Sequence, residues 1–164
     1  MAKIVPIAIT ILRCADQYLF IRRRKPPYEN LWSLVGGKVN LGEHIHDAAV
    51  REVMEETGAT GVRNFESRGM VSERLITSNQ ELSDHFLIFV SYAEIDDFKD
   101  NHREGNLKLF TLDEIIGNDA DFLPSDLQMF QSFNVAGGRS GVYEAELLHD
   151  GARYHLNYYR KTES

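Results

Sequence analysis

The chain has 164 residues, 43% of them apolar, and a single cysteine, Cys14, which fits one globular domain and excludes an intrachain disulfide. Its formal net charge of −7 argues against general electrostatic capture of DNA, RNA or an anionic membrane, but not against a small anionic substrate met through a bound cation. The lone thiol suits a reducing compartment, so the expected location is cytoplasmic.

Residues 4 to 12, IVPIAITIL, lack the basic leader and small-residue cleavage site of a secretion signal and fall short of the roughly 20 residues of a membrane span. They read as a buried strand. Strands are expected over 3–13 and 17–22, separated by a turn at CADQ. RRRKPPYENLW, residues 22 to 32, is a loop because two prolines interrupt regular structure. SLVGG returns to extended backbone, and 45–57 reads as a helix with Asp47 in its first turn and Gly58 as its C-terminal cap. Val50, Val53 and Met54 are expected on its core face, with Ala48 and Ala49 permitting close approach to a sheet. Further strands are expected near 62–75 and 85–94. LKLFTLDEI predicts a short strand and a helical turn capped by Thr111, and Pro124 opens a helix through about Phe133. NVAGGRSG, residues 134–141, reads as a flexible break. An Asp150-Gly151 pair between β-rich runs predicts a hairpin over about 142–160. The whole, 1–164, is expected to be one mixed α/β domain.

The stretch GGKVNLGEHIHDAAVREVMEETGA, residues 36 to 59, carries the chemistry. A helix advances about 100° per residue, so Glu52, Glu55 and Glu56 project together. Each like-charge pair at that spacing costs a few tenths of a kcal/mol. A solvated acidic face is the ordinary reading of such a cluster. Arg51, four residues after Asp47 and four before Glu55, offsets part of the repulsion, and one arginine cannot neutralise the set. A divalent cation can. Carboxylates are hard oxygen ligands suited to Mg²⁺ or Mn²⁺, and Mg²⁺ combines carboxylates with waters and substrate phosphates.

The spacing sharpens this. Gly37, Glu43, Arg51-Glu52-Val53, Glu55-Glu56 and Gly58 stand as in the signature G-x5-E-x7-R-E-U-x-E-E-x-G-U, U being bulky and aliphatic, and the region resembles the Nudix hydrolase family, MutT-like members included. Ala59 is smaller than the usual last residue, and Val35 replaces the common proline before the paired glycines. The resemblance implies an α/β/α sandwich with a mixed sheet, a loop–helix–loop metal site over 37–59 and a C-terminal hairpin outside the signature. It implies Mg²⁺ or Mn²⁺ held by Glu55 and Glu56, with Glu52 as a third ligand or the base, Glu43 direct or through water, and the Gly37 carbonyl. Glu52, Glu55 and Arg51 are the catalytic candidates, Arg51 by orienting a neighbouring glutamate. The implied reaction is attack of water on a phosphorus of a diphosphate linkage.

Other residues are weighed beside this set. Arg24, within the run Arg22–Lys25, and Lys38 are candidates for phosphate, against the reading of solvated charges. Trp32 and Tyr28 are candidates to stack on a base, against packing. Glu81, Asp84 and Glu104 are candidates for an extra base, against exposed loop acids. His44 and His46 flank Ile45 and point apart on a helix start, so they are not read as ligands; nor are His85, His102, His149 and His155. The proline and tyrosine that often mark the ADP-ribose and dinucleoside-polyphosphate branches beyond the box are missing, since the prolines are Pro6, Pro26, Pro27 and Pro124 and residues 60–91 hold no tyrosine. The coenzyme A signature is incomplete. A normal or oxidised nucleoside triphosphate is the expected substrate, a small-molecule partner. The rivals are removal of pyrophosphate from the 5′ end of RNA and a non-catalytic nucleotide sensor. The hairpin is a candidate homodimer interface, against simple completion of the sheet.

Overall fold

The computed structural model describes residues 3–99, 105–134 and 140–162. Its elements are β1 (Ile4–Cys14), β2 (Gln17–Arg23), β3 (Trp32–Ser33), β4 (Val35–Lys38), α1 (Ile45–Thr57), β5 (Arg63–Thr77), β6 (Leu82–Glu94), β7 (Gly105–Phe110), α2 (Leu112–Ile116), α3 (Pro124–Phe133), β8 (Val142–His149) and β9 (Tyr154–Lys161). Part of the predicted 134–141 break, together with Glu104 and His102, lies outside the described residues.

β1 is buried continuously from Ala8 to Leu12, because both faces of the sheet are covered. Alternation divides its side chains. Ile9 and Ile11 join Phe20, Phe110, Phe122, Met129, Phe130 and Phe133 in one core cluster on the α3 side. Leu12 joins Leu19, Ile21, Val35, Val53 and Ile95 on the α1 side. The sheet is therefore sandwiched between α1 and α3.

Strand order is β3-β2-β1-β6-β5-β8-β9, with β4 on β1 and β7 on β2. β1 and β2 pair only near their turn, from Leu12↔Leu19 to Cys14↔Gln17. Beyond that they diverge, and residues 32–38 enter the gap: β3 pairs with β2 and β4 with β1. This wedge fixes the position of Gly37, opposite Ala8. β1 runs parallel to β6 and β5 parallel to β8, so the C-terminal hairpin extends the sheet and β9 is its last strand on that side.

Two helix ends show why the local signals read true. Thr111 and Glu114 form a reciprocal capping box at the start of α2. Gly58 adopts φ 65° and its N–H donates to the Met54 carbonyl, closing α1. The expected core face of α1 needs correction. Ala48, Ala49, Val53, Glu56 and Thr57 are buried, whereas Met54 is 37% exposed and Val50 is half-buried. The two alanines pack against Ala8 of β1, and this close approach turns the helix so that its smallest side chains meet the sheet.

Candidate active site

The turn before α1 places Glu43. The Glu43 N–H donates to the Asn40 carbonyl at 3.0 Å, and the Asn40 N–H donates to Glu43 Oε1 at 3.0 Å. Arg51 reaches back one side of the helix to the same carboxylate, its Nε donating to Oε2 at 2.7 Å and its Nη2 to Oε1 at 3.0 Å. Arg51 Nη1 donates to Glu52 Oε1 at 2.8 Å and Glu55 Oε2 at 3.2 Å, and Nη2 donates to the Lys38 carbonyl at 3.0 Å. Every N–H of the guanidinium is used. The two-pronged contact with Arg51, then the Asn40 N–H, hold the Glu43 pKa down to about 2. In return Glu43 and then Glu52 raise that of Arg51.

The glutamates of α1 differ in exposure. The Glu52 side chain is 14% exposed and that of Glu55 48%. Glu56 is 9% exposed and shares a small cavity of about 40 Å³ with Ile21, Arg23, Arg24 and Lys25. Glu52 lies on the backbone of β4: a Cβ at Gly37 would sit 2.5 Å from its Cδ and 2.6 Å from its Oε1. The missing side chain of Gly37 is the cradle for this carboxylate.

Among the described residues, no three Asp, Glu, His or Cys side chains converge ready-made on one point. Arg51 instead fans Glu43, Glu52 and Glu55 around itself. The donor set still fits a hard divalent ion, being all oxygen and anionic.

The other candidates are dispersed. Lys38 is exposed at the end of β4 and enters the cluster through its carbonyl. Arg24 Nη2 donates to Asn106 Oδ1 at 3.4 Å and, with Arg23 and Lys25, brings positive charge to Glu56. The Trp32 ring packs edge-on against Phe110 at 5.3 Å between centroids. Tyr28 is buried, at 5% exposure. Glu81 lies exposed in the β5–β6 turn and Asp84 accepts from Ser83 Oγ at 2.7 Å. His46 packs edge-on against Phe65, and His155 pairs with Asp150 at 2.7 Å.

Sequence reading missed three buried acids, Glu73, Asp126 and Glu146, which are 1%, 6% and 8% exposed; Glu146 is ion-paired with Arg74. Glu73 had a signal, a lone acid at an inward position between Val71 and Leu75. Asp126 sits in the first turn of α3, where acids are ordinary. A cleft of about 500 Å³ lies among the 29–31 loop, residues 118–124 and Ala152–Tyr154; none of the box residues lines it.

A family model for the NUDIX domain matches residues 3–133, and the chain belongs to that family. The structure has the same fold as a crystal structure of a MutT protein from Bacillus halodurans, with a TM-score of 0.75 at 24% identity over 96% of this chain and 97% of that one. The NUDIX domain of Shewanella oneidensis NrtR, crystallised with ADP ribose, superposes with a TM-score of 0.64 at 15% identity, covering 80% of this chain and 86% of that one. In sequence, a Bacillus subtilis (strain 168) protein named as a candidate 8-oxo-dGTP diphosphatase is 44% identical over 50 residues, 30% of this chain and 32% of its own length. The match thus spans about a third of that relative. No helix among the described residues is long and apolar enough to cross a membrane.

Proposed function

We propose that the protein is a metal-dependent pyrophosphohydrolase that cleaves the diphosphate linkage of a normal or oxidised nucleoside triphosphate. The observation that carries this is the seating of Glu52 on Gly37 beside Glu43 and Glu55, three carboxylates that share a single arginine. Glu52, Glu55, Glu56 and the Gly37 carbonyl would hold Mg²⁺ or Mn²⁺, with Glu43 direct or through water. Bound there, the ion supplies charge neutralisation for the diphosphate and lowers the pKa of water towards neutrality.

The chain's own residues do the rest. Arg51 keeps the carboxylates of Glu52 and Glu55 in fixed orientation, and a glutamate of this pair takes the proton of the attacking water. Arg23, Arg24 and Lys25, facing Glu56, receive phosphate oxygens. Water adds to one phosphorus, the bridging P–O bond breaks, and two phosphate-bearing products leave. The triphosphate reading is supported by the missing branch markers and by the name of the Bacillus subtilis relative.

The test is a screen of purified protein with Mg²⁺ or Mn²⁺ against nucleoside triphosphates, oxidised dGTP, ADP-ribose and dinucleoside polyphosphates, with products identified by mass. Metal-dependent triphosphate cleavage is expected, falling by roughly 10²-fold or more in Glu55→Gln and Glu56→Gln while melting temperature is kept. Full activity in both variants would overturn the metal-ligand assignment. Turnover of ADP-ribose alone would overturn the substrate.

A further inference from the structure

The family match ends at residue 133, so the β8–β9 hairpin stands outside it. The turn of this hairpin is held by one side chain. Asp150 Oδ1 accepts the N–H groups of Ala152 and Arg153 at 2.8 and 2.7 Å, and Asp150 Oδ2 pairs with His155 Nε2 at 2.7 Å. The ring of His149, the cross-strand partner of Tyr154, stacks on the Tyr154 ring at 4.2 Å and 10°. The hairpin tip therefore presents the Tyr154 ring in a fixed plane.

That ring meets one loop, residues 24–31. Tyr154 Oη donates to Glu29 Oε1 at 2.9 Å, and the Tyr28 N–H lies beside the same hydroxyl oxygen. The two rings, Tyr154 and Tyr28, pack edge-on at 5.0 Å. The loop closes on itself at its base, where the Asn30 N–H donates to the Arg23 carbonyl at 2.8 Å and Arg23 Nε to the Pro27 carbonyl at 3.1 Å. Its far end carries left-handed backbone, Tyr28 at φ 71° and Asn30 at φ 66°. Such backbone is costly for a non-glycine residue and relaxes unless its surroundings fix it. Beside the contact lies the 500 Å³ cleft, with Glu29, Asn30 and Leu31 on one wall and Ala152, Arg153 and Tyr154 on the other. On that side the loop borders an open cavity, and the tyrosine is what spans to it.

The same loop begins with Arg24 and Lys25, which share the small cavity of Glu56 with Arg23. Pro26 and Pro27 link Lys25 to Tyr28. Their rings fix φ, so a shift at Tyr28 carries through to Lys25.

We propose that the hairpin tip clamps this loop and that Tyr154 is a positioning residue for phosphate binding. It holds Tyr28 and Glu29, and through them keeps Arg24 and Lys25 at Glu56. The proposal rests on the reading of these cations as receivers of phosphate oxygens. An unclamped loop spreads its charges over many positions, so affinity falls. Arg51, Glu52 and Glu55 stand on α1 and stay in place. KM therefore rises while kcat is kept.

Two measurements on the full chain test this, and neither needs turnover. Hydrogen exchange of the Tyr28, Glu29, Asn30 and Leu31 amides reads the clamp. Calorimetry with inorganic tripolyphosphate and Mg²⁺ reads phosphate affinity whatever the base. Tyr154→Phe keeps the ring and removes the hydroxyl, and should speed exchange and weaken tripolyphosphate by about three- to tenfold. With nucleoside triphosphates KM should rise by the same factor at unchanged kcat. Glu29→Ala should reproduce these changes, whereas Glu29→Gln, whose amide oxygen still accepts, should not. Tyr159→Phe removes the other bonded hydroxyl of β9, on Ser132, and should alter neither readout. If Tyr154 acts through the cations, Tyr154→Phe costs no further affinity in an Arg24→Ala/Lys25→Ala background. Unchanged exchange or affinity in Tyr154→Phe, an additive loss in that background, or no tripolyphosphate binding by the wild type overturns the clamp. Wild type that binds tripolyphosphate through the clamp and hydrolyses no nucleotide leaves the clamp standing and removes the hydrolase reading. Nucleotide turnover with one KM for wild type and Tyr154→Phe does the reverse.

Discussion

A single arginine explains how the crowded glutamates of α1 coexist in one fold. Arg51 places one charge among Glu43, Glu52 and Glu55 and spends its last donor on the Lys38 carbonyl, tying the helix to the strand that carries Gly37. Its geometry is a fork that lysine does not reproduce. The complementary device is an absence. At Gly37 any side chain would begin 2.5 Å from the Glu52 carboxyl carbon, a distance that forces the glutamate off the strand. Gly37→Ala is therefore expected to lower kcat by about 10²-fold, the size of effect that an ångström of misplacement produces, while shifting the melting temperature only slightly because Glu52 stays partly in water. Steady-state kinetics beside a thermal melt would check it. A Gly37→Ala enzyme of normal kcat would mean that Glu52 does not work from this seat.

At the level of elements, the contact between α1 and β1 is made by small residues. Ala8, Ala48 and Ala49 form one cluster, which lets the carboxylates reach β4. Ala49→Leu inserts a larger side chain into this contact and should cost about 1–3 kcal/mol, lifting the helix and lowering activity with stability. Met54→Ala, at a position 37% exposed, should change stability by no more than roughly 0.5 kcal/mol. Urea denaturation of both variants distinguishes this packing from the arrangement hydropathy suggests, in which Met54 is core and its truncation is the damaging change. The misreading of this face has a physical source. Hydropathy favours Val50 and Met54, whereas the closeness of approach is decided by the alanines. Where a signal is local, the sequence was legible to the residue: the Gly58 cap, the Thr111 N-cap, the proline that opens α3 and the Asp150-Gly151 turn are all found where their chemistry places them. The Arg51 cluster was legible too, because its residues share one helix and one turn. The wedge of β3 and β4 between diverging strands was not, since pairing partners far apart in sequence leave no periodic mark. Nor was the packing around the buried Tyr28, where Leu75, Phe86, Leu123, Leu147 and Tyr154 meet from separate parts of the chain.

For the molecule as a whole, the buried acids and the surface acids pull stability in opposite directions with pH. Glu43 has its pKa held down to about 2 by Arg51 and then Asn40, so its contribution is complete above the ordinary carboxylate range and disappears as pH falls through about 2. Asp126 is the reverse case. Burial and then Glu73 raise it from 3.8 to about 7, against the lowering effects of the Leu34 N–H and then Arg23, and Glu73 is itself raised by burial. Between about pH 4 and pH 7 the folded chain holds a proton at Asp126 that the unfolded chain has released, so the stability this group contributes falls as pH rises and levels off above about 7. Maximum stability is accordingly expected near about pH 5, on the acid side of neutrality. From there to pH 8 the Asp126 contribution is on the order of 2–4 kcal/mol, roughly 4–16 °C in a chain of this size. Asp126→Asn keeps the shape and removes the titration. Denaturation curves at pH 5 and pH 8 should then show a smaller difference for the variant than for the wild type. Parallel pH dependence in the two proteins would mean that Asp126 is no more strained by its burial than an acid in water, and that its place beside Glu73 costs the fold nothing.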